Sequence, residues 1–221
     1  MNPNKYIHEK YNIKDCDEDL IVIEGLLRDG LYETFNDLGY RVGAEIGVRL
    51  GNNAVSIFNK IPELKMYLVD PWRNYPGGLK LDDDMFQNRA LSIARRRVES
   101  FNAQFMRMFS VDAISKIPNN SLDFVYIDAN HAYDYVMMDI ILWTQKVRNG
   151  GIVSGHDYRI HPDWVSDGGN IVTQEGVNGA VTDYTRCHRI SPIYLTYVPS
   201  PDEEHRESDT NQSWFFVKGG W

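Results

Sequence analysis

Apolar side chains occupy alternate positions at Val42, Ala44 and Ile46, and the alternation stops at Gly47. From Ala54 to Lys60 the spacing becomes that of a short helix, and Met66 to Val69 forms another apolar run that ends on Asp70. Arg41 to Asp70 therefore reads as strand, tight glycine turn, helix, strand and carboxylate. Upstream, Leu20, Ile23, Leu27, Leu31, Phe35 and Leu38 recur every three or four residues. That spacing predicts one amphipathic helix over 17–38, capped by Asp15, Asp17 or Asp19 and stopped by Gly39. Residues 1–14 are polar, lack a period and read as an arm.

Downstream, the Pro-, Gly- and Asp-rich residues 71–84 form a loop at a strand end. The pattern then predicts a helix from Met85 to Phe101, a strand from Ala103 to Phe109, a turn over 110–113 and a strand from Leu122 to Ile127 that ends on Asp128. A helix follows from Ala132 to Val147, with Asn149-Gly150-Gly151 as its stop signal. Ile152 to Ser154 is a short fifth strand leading into Gly155-His156-Asp157-Tyr158. Residues 159–175 have no period and suit a lid or insertion. Asn178 to Cys187 is helical, and Ile193 to Val198 with Trp214 to Val217 suits an antiparallel hairpin at the sheet edge.

Five strands alternating with helices predict an α/β fold with an open parallel sheet. Such sheets bind ligands at the carboxyl ends of their strands. Glu45, Asp70, Asp112, Asp128 and Asp157 all fall there, with His156 beside them. A glycine turn opening a helix presents bare amides to a ligand. A carboxylate on the next strand suits a ribose diol, so Glu45-x-Gly47-x-x-x-Gly51 with Asp70 points to a nucleoside cofactor.

Composition narrows the partner. A length of 221 residues suits one domain, and 43% hydrophobic with 24% charged residues is an ordinary globular mix. The net charge is −8, and the single basic run, Arg95 to Arg97, falls on a predicted helix. This argues against nucleic acid and favours a small-molecule or glycan acceptor. Cys16 and Cys187 are far apart and form no C-x-x-C pair, as expected of reduced thiols in a cytoplasmic protein. The polar N-terminus predicts no signal peptide, and the apolar runs are too short to span a bilayer.

AEIGVRLGNNA (44–54), YLVDPW (67–72), LDFVYIDANHAYDYVMMDI (122–140), NGGIVSGHDY (149–158) and SWFFVK (213–218) occur in one order. This set resembles the class I S-adenosylmethionine-dependent methyltransferases. Within that class it more closely resembles the methyltransferase domain 24 branch, alongside the macrocin and mycinamicin sugar O-methyltransferases and the cephalosporin-hydroxylase-like proteins. The resemblance implies a Rossmann-like fold with a mostly parallel seven-stranded sheet, helices on both faces and a C-terminal antiparallel hairpin. It covers roughly 40–218, which sets a domain at 40–221 preceded by an arm and helix over 1–39. That N-terminal segment suits a homodimer contact.

The resemblance also implies roles. Glu45, Gly47 and Gly51 would meet the methionine portion of S-adenosylmethionine, Asp70 the ribose hydroxyls, and Asp112 with Ala113 the adenine. Asp128 and Asp157 match positions that bind Mg2+ in metal-dependent relatives, and Asp128 also borders the cofactor. The antibiotic-sugar enzymes carry two adjacent carboxylates after strand five, whereas this chain has His156-Asp157. Two routes for removing the acceptor proton stay open: a histidine or carboxylate base, with His131 and His156 as candidates, or a divalent ion at Asp128 and Asp157. Trp72, Tyr75, Tyr133 and Tyr158 are candidates to line an acceptor pocket, with His161 and Trp164 in a lid. Two other readings compete: an NAD-dependent oxidoreductase and a non-catalytic cofactor-binding protein. The first lacks the G-x-G-x-x-G spacing.

Overall fold

The computed structural model describes residues 2–14, 18–74, 84–158, 175–196 and 212–219. The elements run α1 (Pro3–Lys10), β1 (Leu20–Ile23), α2 (Arg28–Asp37), β2 (Val42–Ile46), α3 (Asn52–Lys60), β3 (Lys65–Asp70), α4 (Asp84–Arg97) and β4 (Asn102–Arg107). They continue with α5 (Ser110–Ala113), β5 (Leu122–Ile127), α6 (Tyr133–Thr144), β6 (Val147–Tyr158), α7 (Glu175–His188), β7 (Ile193–Thr196) and β8 (Gln212–Val217).

The eight strands form one sheet in the order β1-β7-β8-β6-β5-β2-β3-β4. Only β8 runs antiparallel, between β6 and β7. This is the expected α/β fold, with one strand more than expected. That extra strand corrects the single helix expected over 17–38. Leu20–Ile23 is β1, paired in parallel with Ile193–Thr196, and the helix begins only at Arg28. Ile21-Val22-Ile23 is β-branched, which favours an extended chain, and Gly25 turns the chain at a φ of 76° before α2. The arm over 1–14 also contains a helix, α1, started by the Asn2 side chain accepting from the Lys5 amide.

One further boundary differs. Asn149-Gly150-Gly151 does not stop α6, which ends at Thr144; it lies inside β6, a strand of 12 residues. Asp123 explains the early start of β6. Its carboxylate accepts from the Arg41 and Val42 amides at 2.7 and 2.8 Å and from Arg148 Nε at 2.7 Å. One side chain thus ties together the amino ends of β2, β5 and β6.

Each face of the sheet has its own core. On one face α1 to α4 bury Ile7, Leu31, Phe35, Ile57 and Ala94 against Met66, Leu68, Phe124 and Tyr126. Phe35 stacks on Phe124 with ring centroids 4.7 Å apart. On the other face α5 to α7 bury Ala113, Ile140, Trp143 and Val181 against Val125, Val153 and Phe216. Burying one such large side chain contributes roughly 1.5–3 kcal/mol, so both faces hold the strand ends firmly in register. Among the described residues, no helix is long and apolar enough to cross a membrane.

Candidate functional site

At the carboxyl end of β2 the chain leaves Ile46 and turns through Gly47, at a φ of 91°, and Gly51, at 76°. A Cβ on Gly47 would lie 2.0 Å from the Asp128 carbonyl oxygen, so only glycine lets the turn rest against the end of β5. A Cβ on Gly51 would meet the Ala94 backbone of α4 at 3.2 Å. The Gly47 amide donates to Val69 O at 2.9 Å and the Asp128 amide to Ile46 O at 2.8 Å, so the ends of β3, β2 and β5 converge at this turn.

Asp70 fixes the turn from the side. Its Oδ2 accepts from the Val48 and Arg49 amides at 3.0 and 2.9 Å, and its Oδ1 from the Trp72 amide at 2.7 Å. Burial pushes its carboxyl up, against the pull of these amides. A carboxylate offers about four acceptor directions, so Oδ1 keeps roughly one for a ribose hydroxyl. The sequence assigns Asp70 a contact with the ligand alone; in the fold it also builds the loop that would hold that ligand.

Glu45 is 1% exposed. Its Oε1 accepts from Asn53 Nδ2 at 2.9 Å, while its Oε2 is buried with no hydrogen-bond partner. Tyr32 donates to Asn53 Oδ1, and Tyr126 shares a 2.8 Å bond with Ser213 Oγ behind it. Burial pushes the Glu45 carboxyl up to about 8, Asn53 pulls it down, and the Asp128 and Asp70 charges push it further up. A buried carboxyl with an orphan oxygen is suited to a cationic partner.

Across the turn lies a second cluster. His131 Nε2 is 3.4 Å from Asp128 Oδ1 and 3.1 Å from Asp157 Oδ2, and His156 Nδ1 is 3.4 Å from Asp157 Oδ1. The register of β6 against β8 shifts between Gly155 and Tyr158, and Asp157 takes a φ of 60°. Such a bulge re-aims side chains that a regular strand would send to opposite faces. Burial pulls His131 down, yet the bond to Asp128 and the charges of Asp157 and Asp128 raise it overall. One ligand atom each from Asp128, His131 and Asp157 lies within 4.8 Å of the others, a set that fits a divalent cation. His156 is buried behind Asp157 and is not one of the three.

The other expected residues divide. Asp112 is exposed in the first turn of α5. Ala113, expected beside the adenine, is wholly buried in the core, and its amide donates to Phe109 O at 3.1 Å. Its place is set by packing. Trp72, offered as pocket lining, is fully buried, with Nε1 donating to Arg49 O at 2.9 Å. Tyr158 is buried against Thr182, whereas Tyr133 is exposed and bonded to Asp183. Tyr75, His161, Trp164 and the expected lid lie outside the described residues. Sequence reasoning missed Asn53 and Tyr32, which hold the Glu45 carboxyl in place. Asn53 falls in the first turn of α3 directly after the glycine turn, a position that could have flagged it.

The model of the methyltransferase domain family matches residues 44–158, more than half of the 221. No curated protein sequence matches this one. Among solved structures, an O-methyltransferase from Bacillus cereus in complex with SAH aligns with a TM-score of 0.62 at 13% identity, covering 98% of this chain and 90% of that one. A caffeoyl-CoA O-methyltransferase candidate from Staphylococcus aureus aligns at 0.61 and 12%, covering 96% and 90%. Precorrin-6y C5,15-methyltransferase from Geobacter metallireducens aligns at 0.58 and 14%, covering 92% and 96%. At these identities the likeness establishes the fold.

Proposed function

The chain belongs to the methyltransferase domain family, and from that premise we propose that it transfers a methyl group from S-adenosylmethionine to a hydroxyl of a small molecule or sugar. One observation carries the reading: the Gly47 turn rests directly on Asp128, so a cofactor cradled by the turn would lie beside the Asp128–His131–Asp157 cluster.

S-adenosylmethionine supplies the methyl group as a sulfonium. Val48, Arg49 and Asp70 hold the turn, Glu45 would meet the methionine end, and the exposed Asp112 would be available to the adenine. Positioning of the acceptor oxygen in line with methyl and sulfur is the main contribution such a site makes. Asp128, His131 and Asp157 would hold a divalent cation, which lowers the pKa of a bound hydroxyl and orients it. With one nitrogen among three donors, Mn2+ and softer ions join Mg2+ as candidates. Without a cation, the two carboxylates hold His131 toward its charged form, which disfavours it as a base in the free protein.

Calorimetric titration with S-adenosylhomocysteine and with NAD, with and without Mg2+ or Mn2+, tests the reading. Binding of S-adenosylhomocysteine alone supports it, and binding of NAD alone rejects it. Family membership already weighs against the oxidoreductase alternative. A non-catalytic role would show as cofactor binding without methyl transfer to any hydroxyl acceptor in a panel of sugars and phenols.

A further inference from the structure

Asp139 places a carboxyl on the buried face of α6, 4% exposed, on the same helix face as Val136, Ile140 and Trp143. Such a group is costly to bury, and an apolar side chain of similar shape would pack the helix as well. Its Oδ1 accepts from the Ser110 hydroxyl. Trp143 Nε1, one turn further along α6, donates to the same Ser110 oxygen at 2.7 Å. A hydroxyl has a single hydrogen and an indole N–H can only donate, so the Ser110 hydrogen goes to Asp139 and the side chain is locked in one orientation. Burial pushes the Asp139 carboxyl up to about 6, and the Ser110 bond pulls it down, so it is ionised at neutral pH and the bond is charge-assisted. Ser110 opens α5, the four-residue helix that follows β4 and carries Asp112. The Asp112 and Ala113 amides bond back to Phe109 O, within the turn itself, while Val111 and Asp112 are exposed. The tie from Ser110 to α6 therefore reaches the turn from outside it.

Resting on the cofactor reading above, we propose that Asp139, Ser110 and Trp143 form a latch that positions the Asp112 turn and so sets the preference of the site for adenine. Asp139 and Trp143 are buried and act through Ser110 as positioning residues. Asp112 would accept from the adenine 6-amino group, a contact that holds only while α5 keeps its place against α6. Two bonds to one hydroxyl, from side chains one helical turn apart on α6, fix that place more narrowly than apolar packing of Ala113 alone.

The test compares two ligands on the full chain by calorimetry: S-adenosylhomocysteine and S-inosylhomocysteine, in which an oxo group replaces the amino group of the base. The unsubstituted protein should prefer the first. Ser110→Ala should weaken S-adenosylhomocysteine about three- to tenfold, the range for the net worth of one hydrogen bond, and leave S-inosylhomocysteine within about twofold of its own wild-type value. Asp139→Leu, which removes the acceptor, should act like Ser110→Ala. Asp139→Asn keeps an acceptor for the hydroxyl and should lose less than either. A merely structural role would lower both ligands alike and leave the preference unchanged. Equal losses for the two ligands, no loss for either, or an unsubstituted protein without a preference overturn the proposal while leaving the cofactor reading in place. Failure of the unsubstituted protein to bind S-adenosylhomocysteine overturns both. Circular dichroism checks the fold of each variant, and if Ser110→Ala or Asp139→Leu does not fold, Asp139→Asn, the mildest change, carries the same comparison.

Discussion

Glu45→Gln should make the free protein more stable at neutral and alkaline pH while weakening its grip on the cofactor. The Glu45 carboxyl is pushed up to about 8 from an ordinary 4.5, chiefly by burial. The folded chain therefore keeps a proton that the unfolded chain loses between those values. Stability falls as pH rises through this window, because there the folded state binds more protons than the unfolded one. A tenfold change in proton affinity corresponds to about 1.4 kcal/mol, so the wild type loses roughly 3 kcal/mol between pH 5 and pH 8 from this group alone. The glutamine side chain has no such charge. It keeps an oxygen for Asn53, but places an amide where Oε2 now lies, at a cost of about 1–3 kcal/mol for an unsatisfied donor. The variant should thus be less stable than wild type, or equal to it, at pH 5 and more stable at pH 8. Urea unfolding of the free protein at pH 5, 7 and 8 measures this directly. A difference between the two proteins that does not change with pH would refute the reasoning.

Further outcomes follow from the same geometry. Gly47→Ala places a methyl 2.0 Å from the Asp128 carbonyl, so the turn must shift; S-adenosylhomocysteine binding should be lost, with a destabilisation above about 2 kcal/mol in urea unfolding. Asp70→Asn leaves at least one of the Val48, Arg49 and Trp72 amides without its acceptor. It should cost about 1–3 kcal/mol and speed hydrogen exchange at Val48 and Arg49, whereas a residue acting only on ribose would leave exchange in the free protein unchanged. Asp128→Asn and Asp157→Asn should each weaken Mn2+ binding, read by electron paramagnetic resonance, at least about tenfold; wild-type affinity in both would remove the metal-assisted route.

The strand-end carboxylates were readable from sequence because each one closes a local pattern. Asp70 ends Met66–Val69, Asp128 ends Leu122–Ile127, and parallel order brings such ends to one edge. The Asp128, His131, His156 and Asp157 neighbourhood was anticipated for that reason. Which histidine lies between the Asp128 and Asp157 carboxylates was not, because that depends on the bulge at Asp157 and its positive φ. Leu20 to Ile23 matched a helical period by coincidence; its extended form depends on pairing with Ile193 to Thr196, about 170 residues away, which no local window contains. Trp72 stood next to a strand-end acid and looked like pocket lining; its φ of 40° turns it into the core.

The most direct test is a crystal structure of the protein with S-adenosylhomocysteine and Mn2+. The ribose should lie at Asp70, the amino-acid end at Glu45, the sulfur facing Asp128 across the Gly47 turn, and the anomalous peak of manganese between Asp128, His131 and Asp157. A ligand seated with its sulfur directed away from that cluster, or bound anywhere other than the Gly47 turn, would contradict that arrangement.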